Sequence, residues 1–138
     1  MVNSMIFVDT SAFLAIENRQ DAHHSPALDF RDSCLRARQT LITSDYVLDE
    51  SYTIIRFRAG HRIAVQFGEA LRASQLLHVE FITPEIIDKA WQLFKAFTDH
   101  DFSFTDCTSF VLMESLHIPT AFTFDVHFKE YGRFHVKP

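Results

Sequence analysis

The chain has 138 residues, 47% of them hydrophobic and 22% charged, which suits one domain with its own core and excludes a disordered chain. Its net charge of −5 argues against a uniformly basic nucleic-acid binder, although a local basic stripe can still meet phosphate. Cys34 and Cys107 form no CxxC pair, so a disulfide framework or zinc site is not expected and a reduced, cytoplasmic setting is the default.

Met5–Val8 is a short apolar run, as a buried parallel strand would be. Asp9 interrupts that run and no basic segment precedes it, so a signal peptide is not expected. No apolar run approaches the ~20 residues that span a bilayer. Helices are expected over Thr10–Glu17 and Asp21–Arg38, then a strand at Leu41–Thr43. Ser44 or Asp45 can cap a helix reaching about Arg58, where Gly60 stops it and a second helix follows over His61–Ala73. A strand is expected at Leu77–Ile82, a helix opened by Pro84 and running to about Phe97, and another over Thr105–Leu116. Thr120–Thr123 reads as a strand, followed by a short helical turn and a last strand at Phe134–Val136. Strands alternating with helices imply a three-layer α/β/α sandwich with a central parallel sheet of four to five strands, in one domain over 1–138.

Four acids fall at telling places in this pattern: Asp9 after the first strand, Glu50 within the third helix, Asp106 at a helix start and Asp125 after the fourth strand. Each has an ordinary reading. Asp9 in Asp-Thr-Ser makes a good helix cap, and that is the stronger reading of Asp9 taken alone. Ser103-Phe-Thr-Asp106 matches a capping box, and Asp125 can cap a turn before His127. Glu50 shares a helix face with Val47 and Ile54, where a carboxylate is costly unless paired with an arginine or bound to a metal. Strand-end carboxylates of an open α/β sheet converge on one crevice, and several there repel unless a hard cation neutralises them. Thr123 points the same way as Asp125 if its strand continues, which suits a supporting hydroxyl. Mg²⁺ or Mn²⁺ fits an all-carboxylate set.

The segments Phe-Val-Asp9-Thr-Ser-Ala, the mid-chain Glu50, Ser-Phe-Thr-Asp106-Cys-Thr-Ser and Thr-Phe-Asp125-Val-His-Phe resemble, in order and spacing, the PIN-domain proteins. Among these the chain looks most like the toxin-like ribonucleases of the VapBC type, over nearly its whole length. The resemblance implies a parallel sheet flanked by helices and metal-dependent hydrolysis of RNA. It also implies metal binding by Asp9, Glu50, Asp106 and Asp125, with Thr10 or Ser11 and Thr123 in support. It further implies a small antitoxin partner and a homodimer.

Arg56, Arg58, His61 and Arg62 cluster near Gly60, either as phosphate contacts or as cations at a solvated helix end. No histidine spacing suggests a metal ligand; His127 is expected only to stack near the fourth motif. Trp91 and Phe94 read as core, and Cys107 as a packed thiol. A haloacid-dehalogenase phosphatase would need an acid where Ser11 stands, and a receiver domain an acidic pair where only Asp9 stands. The main alternative is a catalytically silent PIN-like binding module. The 15 phenylalanines and the helical pair over 46–73 would favour that reading.

Overall fold

The computed structural model describes residues 4–138; residues 1–3, on which the signal-peptide reading partly rests, lie outside them. The described elements are β1 (Met5–Val8), α1 (Thr10–Glu17), α2 (His24–Arg36), β2 (Thr40–Ser44), α3 (Asp45–Ala59) and α4 (His61–Ala73). They continue with β3 (Leu77–Glu80), α5 (Pro84–Ala96), α6 (Phe104–Ser115), β4 (Thr120–Phe122), α7 (Val126–Tyr131) and β5 (His135–Lys137). The order is the expected one, and the differences lie at element ends. The second helix starts at His24 rather than Asp21, because Asp21 is spent on a turn: its Oδ1 accepts the His23 N–H at 2.8 Å. β3 stops at Glu80 rather than Ile82, because the Ile82 N–H leaves the sheet to donate to Asp45 Oδ1 at 2.9 Å.

All five strands are parallel, in the order β3-β2-β1-β4-β5. Successive connections move outward through β2 and β3, then return past β1 to β4 and β5. With right-handed crossovers this reversal puts helices on both faces and opens a crevice between β1 and β4 at their carboxyl ends. β1 is central, and Ile6, Phe7 and Val8 are buried, as expected of a strand covered on both faces. The edge strand β3 exposes His78, Val79 and Glu80, with charge and short length blunting the edge.

The core is aromatic. Phe110 meets Phe102 and Phe128 edge-on, with centroids 5.2 and 5.0 Å away, and stacks on Tyr131 at 4.3 Å. α6 is buried continuously from Asp106 to Met113, the mark of a helix packed all round. Cys107 is buried within it, and burial pushes its thiol up to about 11, so it is the packed thiol expected. Trp91 and Phe94 are not core: they are 49% and 43% exposed and stack on each other along the outer face of α5. Helical spacing put them on one stripe, but only Ala90 of that helix is buried, so the stripe's aromatic edge faces outward. Among the described residues no helix is long and apolar enough to cross a membrane.

Candidate active site

Asp9 is the first residue beyond β1. Its N–H donates to the Phe122 carbonyl of β4 at 3.1 Å, and the register Val8↔Phe122 sets it opposite Thr123. Asp9 occupies the N-cap position of α1, yet its side chain makes no capping bond. Oδ2 instead accepts from the Thr123 hydroxyl at 2.9 Å and the Ser11 hydroxyl at 3.1 Å. The cap reading of Asp9 thus fails on the direction of the side chain, which turns into the crevice. Ser11 and Thr123 are fixed in turn: Ser11 Oγ accepts the Phe124 N–H at 2.9 Å, and Thr123 Oγ1 accepts the Asp125 N–H at 3.0 Å. This web spans both sides of the switch point, so the ends of β1 and β4 hold one carboxylate between them.

Asp106 keeps both of its readings. It closes the capping box of α6, with its N–H donating to Ser103 Oγ at 2.9 Å and its Oδ2 accepting the Ser103 N–H at 3.0 Å. It is also 6% exposed and one of the charges bearing on Asp9. Glu50 is half-buried rather than buried, so its helix face opens on the crevice. No arginine pairs with it among the described residues. Burial raises its pKa, and the Asp106 and Asp125 charges bear on it in the same sense. Asp49, its neighbour, is exposed as expected.

Asp125 caps α7 by accepting the His127 N–H at 3.0 Å. That turn swings the His127 ring back over the acids: Nδ1 lies 2.8 Å from Asp106 Oδ2 and 3.2 Å from Asp125 Oδ1. His127 packs edge-on against Phe102, as a stacking role required, but it is also part of the charged cluster. Asp106, Asp125 and His127 each offer a ligand atom within 4.8 Å of the others. Sequence spacing missed this. The available signal was the offset of two from Asp125, which places the ring over the same crevice only if Asp125 caps a helix.

The charges press on one another. Burial first, then the Asp106 charge, raise Asp9 to about 7, against the opposing Thr123 hydrogen bond. Burial raises Glu50 and Asp106 too, with Asp125 adding to both. Burial lowers His127, but Asp125 and Asp106 outweigh it and hold the ring's pKa above its ordinary value. A buried acid with no cation beside it, surrounded by further carboxylates, is the electrostatic complement of a hard divalent ion. The donor set therefore fits one: carboxylates throughout, with a single imidazole at the rim.

The basic residues near Gly60 do not form one stripe. At 100° per residue Arg56 and Arg58 leave α3 on nearly opposite sides. Arg56 lines a hollow with Arg72 and Tyr52, whereas Arg58 and Arg62 line another with Arg19.

A doubly wound parallel sheet whose switch point holds a crowded acidic cluster defines a class of α/β proteins with a carboxylate crevice at the strand ends, electrostatically suited to a hard cation. The PIN domain profile matches residues 6–134, and the chain belongs to the PIN-domain family. It is 37% identical over 134 residues to the 23S rRNA-specific endonuclease VapC20 of Mycobacterium tuberculosis, covering 97% of this chain and 99% of that relative. The crystal structure of Mycobacterium tuberculosis VapC20, described as a Sarcin-Ricin loop cleaving toxin, superposes with a TM-score of 0.87. That match is at 35% identity and covers 96% of this chain and 99% of the other. VapBC2 from Rickettsia felis, solved bound to a promoter DNA fragment, shares the fold at TM-score 0.73 and 10% identity, over 96% of this chain and 97% of the other.

Proposed function

We propose that this protein is a metal-dependent endoribonuclease, the toxin of a toxin–antitoxin pair, cutting 23S ribosomal RNA. The observation that carries the reading is the convergence of Asp9, Glu50, Asp106 and Asp125 on the switch-point crevice, with Asp9 raised to about 7 by burial and its acidic neighbours. The near full-length similarity to a 23S rRNA-specific endonuclease supports the substrate. The four acids are the proposed ligands of Mg²⁺ or Mn²⁺. When bound, such an ion supplies Lewis-acid stabilisation of phosphodiester oxygens and lowers the pKa of a bound water.

The chain's own residues do the positioning. Thr123 and Ser11 hold Asp9 Oδ2, which leaves Oδ1 free of those hydroxyls. The Ser103 N–H fixes the rotamer of Asp106. Thr10 ties the start of α1 to α3, the helix that carries Glu50, through its hydroxyl and the Val47 carbonyl at 3.5 Å. Against an ionised Asp106 the His127 Nδ1 carries a proton and donates it, so the ring ties the Asp106 and Asp125 carboxylates together.

The proposed partners are the RNA, a small antitoxin whose basic side chain would complement the acidic crevice, and a second copy of the chain. The proposed compartment is the cytoplasm, where ribosomal RNA lies. The test is cleavage of an RNA hairpin carrying the sarcin–ricin loop, with Mg²⁺, Mn²⁺ or EDTA, by wild type and Asp9→Asn. Metal-dependent cutting that drops at least ~100-fold in Asp9→Asn is the expected result. Full activity of Asp9→Asn, or cutting that survives EDTA, would overturn the reading.

A further inference from the structure

α1 and α3 leave the acidic crevice side by side. At their starts the Thr10 hydroxyl reaches the Val47 carbonyl at 3.5 Å. At their far ends Glu17, Asn18, Arg19 and Gln20 face Arg58, Ala59, Arg62, Ile63 and Gln66 across a hollow of about 390 Å³. Gly60 makes this possible. Its φ of 101° is a backbone shape L side chains rarely adopt, and it turns α4 back so that Arg62 comes beside Arg58.

The lining is polar. Arg19, Arg58 and Arg62 are exposed, and none of them joins an ion pair among the described residues. The one carboxylate on the wall, Glu17, is half-buried and has the charges of Arg31 and His24 beside it. Three free guanidinium groups with nearby amides, on a chain of net charge −5, form a local cationic site that composition alone conceals. Guanidinium groups and amide N–H donors are the natural partners of phosphate oxygens. Arg58 follows Glu50 on the same helix by about 12 Å at 1.5 Å per residue. That span corresponds to roughly three or four stacked nucleotides at ~3.4 Å each.

We infer that the hollow between the ends of α1 and α3 is a phosphate-binding subsite, in which Arg19, Arg58 and Arg62 hold the RNA backbone a few nucleotides from the cut bond. This rests on the nuclease reading for its substrate but uses none of the metal-site residues. Arg56, on the far side of α3, takes no part.

The experiment measures binding of a fluorescein-labelled sarcin–ricin RNA hairpin to Asp9→Asn protein across a salt series, with cleavage by wild type assayed in parallel. Arg19→Gln and Arg62→Gln, added singly to Asp9→Asn, are expected to flatten the log affinity against log salt slope by about 0.7 each. Arg19→Lys and Arg62→Lys are expected to restore the slope. Arg133→Gln, whose guanidinium pairs with Glu114 elsewhere, is the control and leaves the slope as it was. Slopes unchanged in both glutamine variants would overturn the subsite. So would an unchanged RNA slope alongside displacement of an oligo-glutamate peptide, which would assign the hollow to an acidic protein. These slope changes in the arginine variants, alongside a wild type that does not cut, would leave the subsite standing and overturn the nuclease.

Discussion

Thr123 shows how one hydroxyl joins two halves of a site. It donates to Asp9 across the β1–β4 seam and accepts from the Asp125 backbone. Thr123→Val keeps the volume and the β-branched shape but leaves a 3%-exposed carboxylate without its nearest donor. A buried acceptor deprived of its partner costs about 1–3 kcal/mol. Cleavage by Thr123→Val is expected to fall about 10–100-fold in a single-turnover assay, in line with the loss of a group that orients a proposed metal ligand. Activity equal to wild type would show that Ser11, at 3.1 Å, suffices to hold Asp9. The other nearby residue, His127, teaches a different lesson. Its ring reaches the acids because Asp125 caps α7, and capping geometry rather than sequence spacing sets that direction.

α6 is the element on which stability and chemistry meet. Its capping box is legible as Ser103-x-x-Asp106, and both of its hydrogen bonds form. The helix behind it buries eight consecutive residues, so a frayed start would disturb the core as well as the carboxylate. Ser103→Ala is expected to cost about 1 kcal/mol, read as a lowered urea midpoint with an unchanged slope. It is also expected to weaken metal binding, because the freed first turn lets Asp106 wander. Loss of stability with metal affinity intact would separate the two roles. The helix ends were the least legible parts of the sequence. Asp21 is taken by a local turn in which it accepts the His23 N–H, whereas Ile82 leaves its strand for Asp45, a partner 37 positions away that only the fold brings near. Trp91 and Phe94 erred for a related reason: periodicity tells which residues share a face, and only packing tells whether another element covers that face.

At the scale of the whole molecule the acidic crevice should govern stability. Asp9 is raised from 3.8 to about 7 in the folded, metal-free protein. Below pH 3.8 both folded and unfolded states hold the proton and the contribution is fully present. Between about 4 and 7 the unfolded chain ionises while the folded Asp9 stays protonated, so stability erodes as pH rises until Asp9 itself ionises. Glu50 and Asp106, also raised, act in the same sense, as does His127, whose contribution fades as pH climbs through its elevated value. At ~1.4 kcal/mol per pK unit, Asp9 accounts for at most about 4 kcal/mol. In EDTA the Tm is expected to be higher at pH 5 than at pH 8. Mn²⁺ or Mg²⁺ at 100 times its Kd should return about 2.7 kcal/mol at pH 8, several degrees of Tm, and much less at pH 5. A metal-free Tm that rises from pH 5 to pH 8 would contradict the crowding of these carboxylates.

Local chemistry in the chain determined the order of strands and helices and the parallel sheet, and it picked out the four acids as candidates. These follow from apolar runs, alternation of element type, and caps that involve residues close in sequence. Tertiary structure decided what those acids face. It alone turned Asp9 away from its helix end, opened the Glu50 face to the crevice and folded His127 over Asp106. It also split Arg56 from Arg58 and gave Arg58 and Arg62 the company of Arg19. The reason is physical. Propensity and pattern act over a few residues, whereas the direction of a side chain and the charge it meets are set by neighbours as many as 114 positions away, as Thr123 is from Asp9.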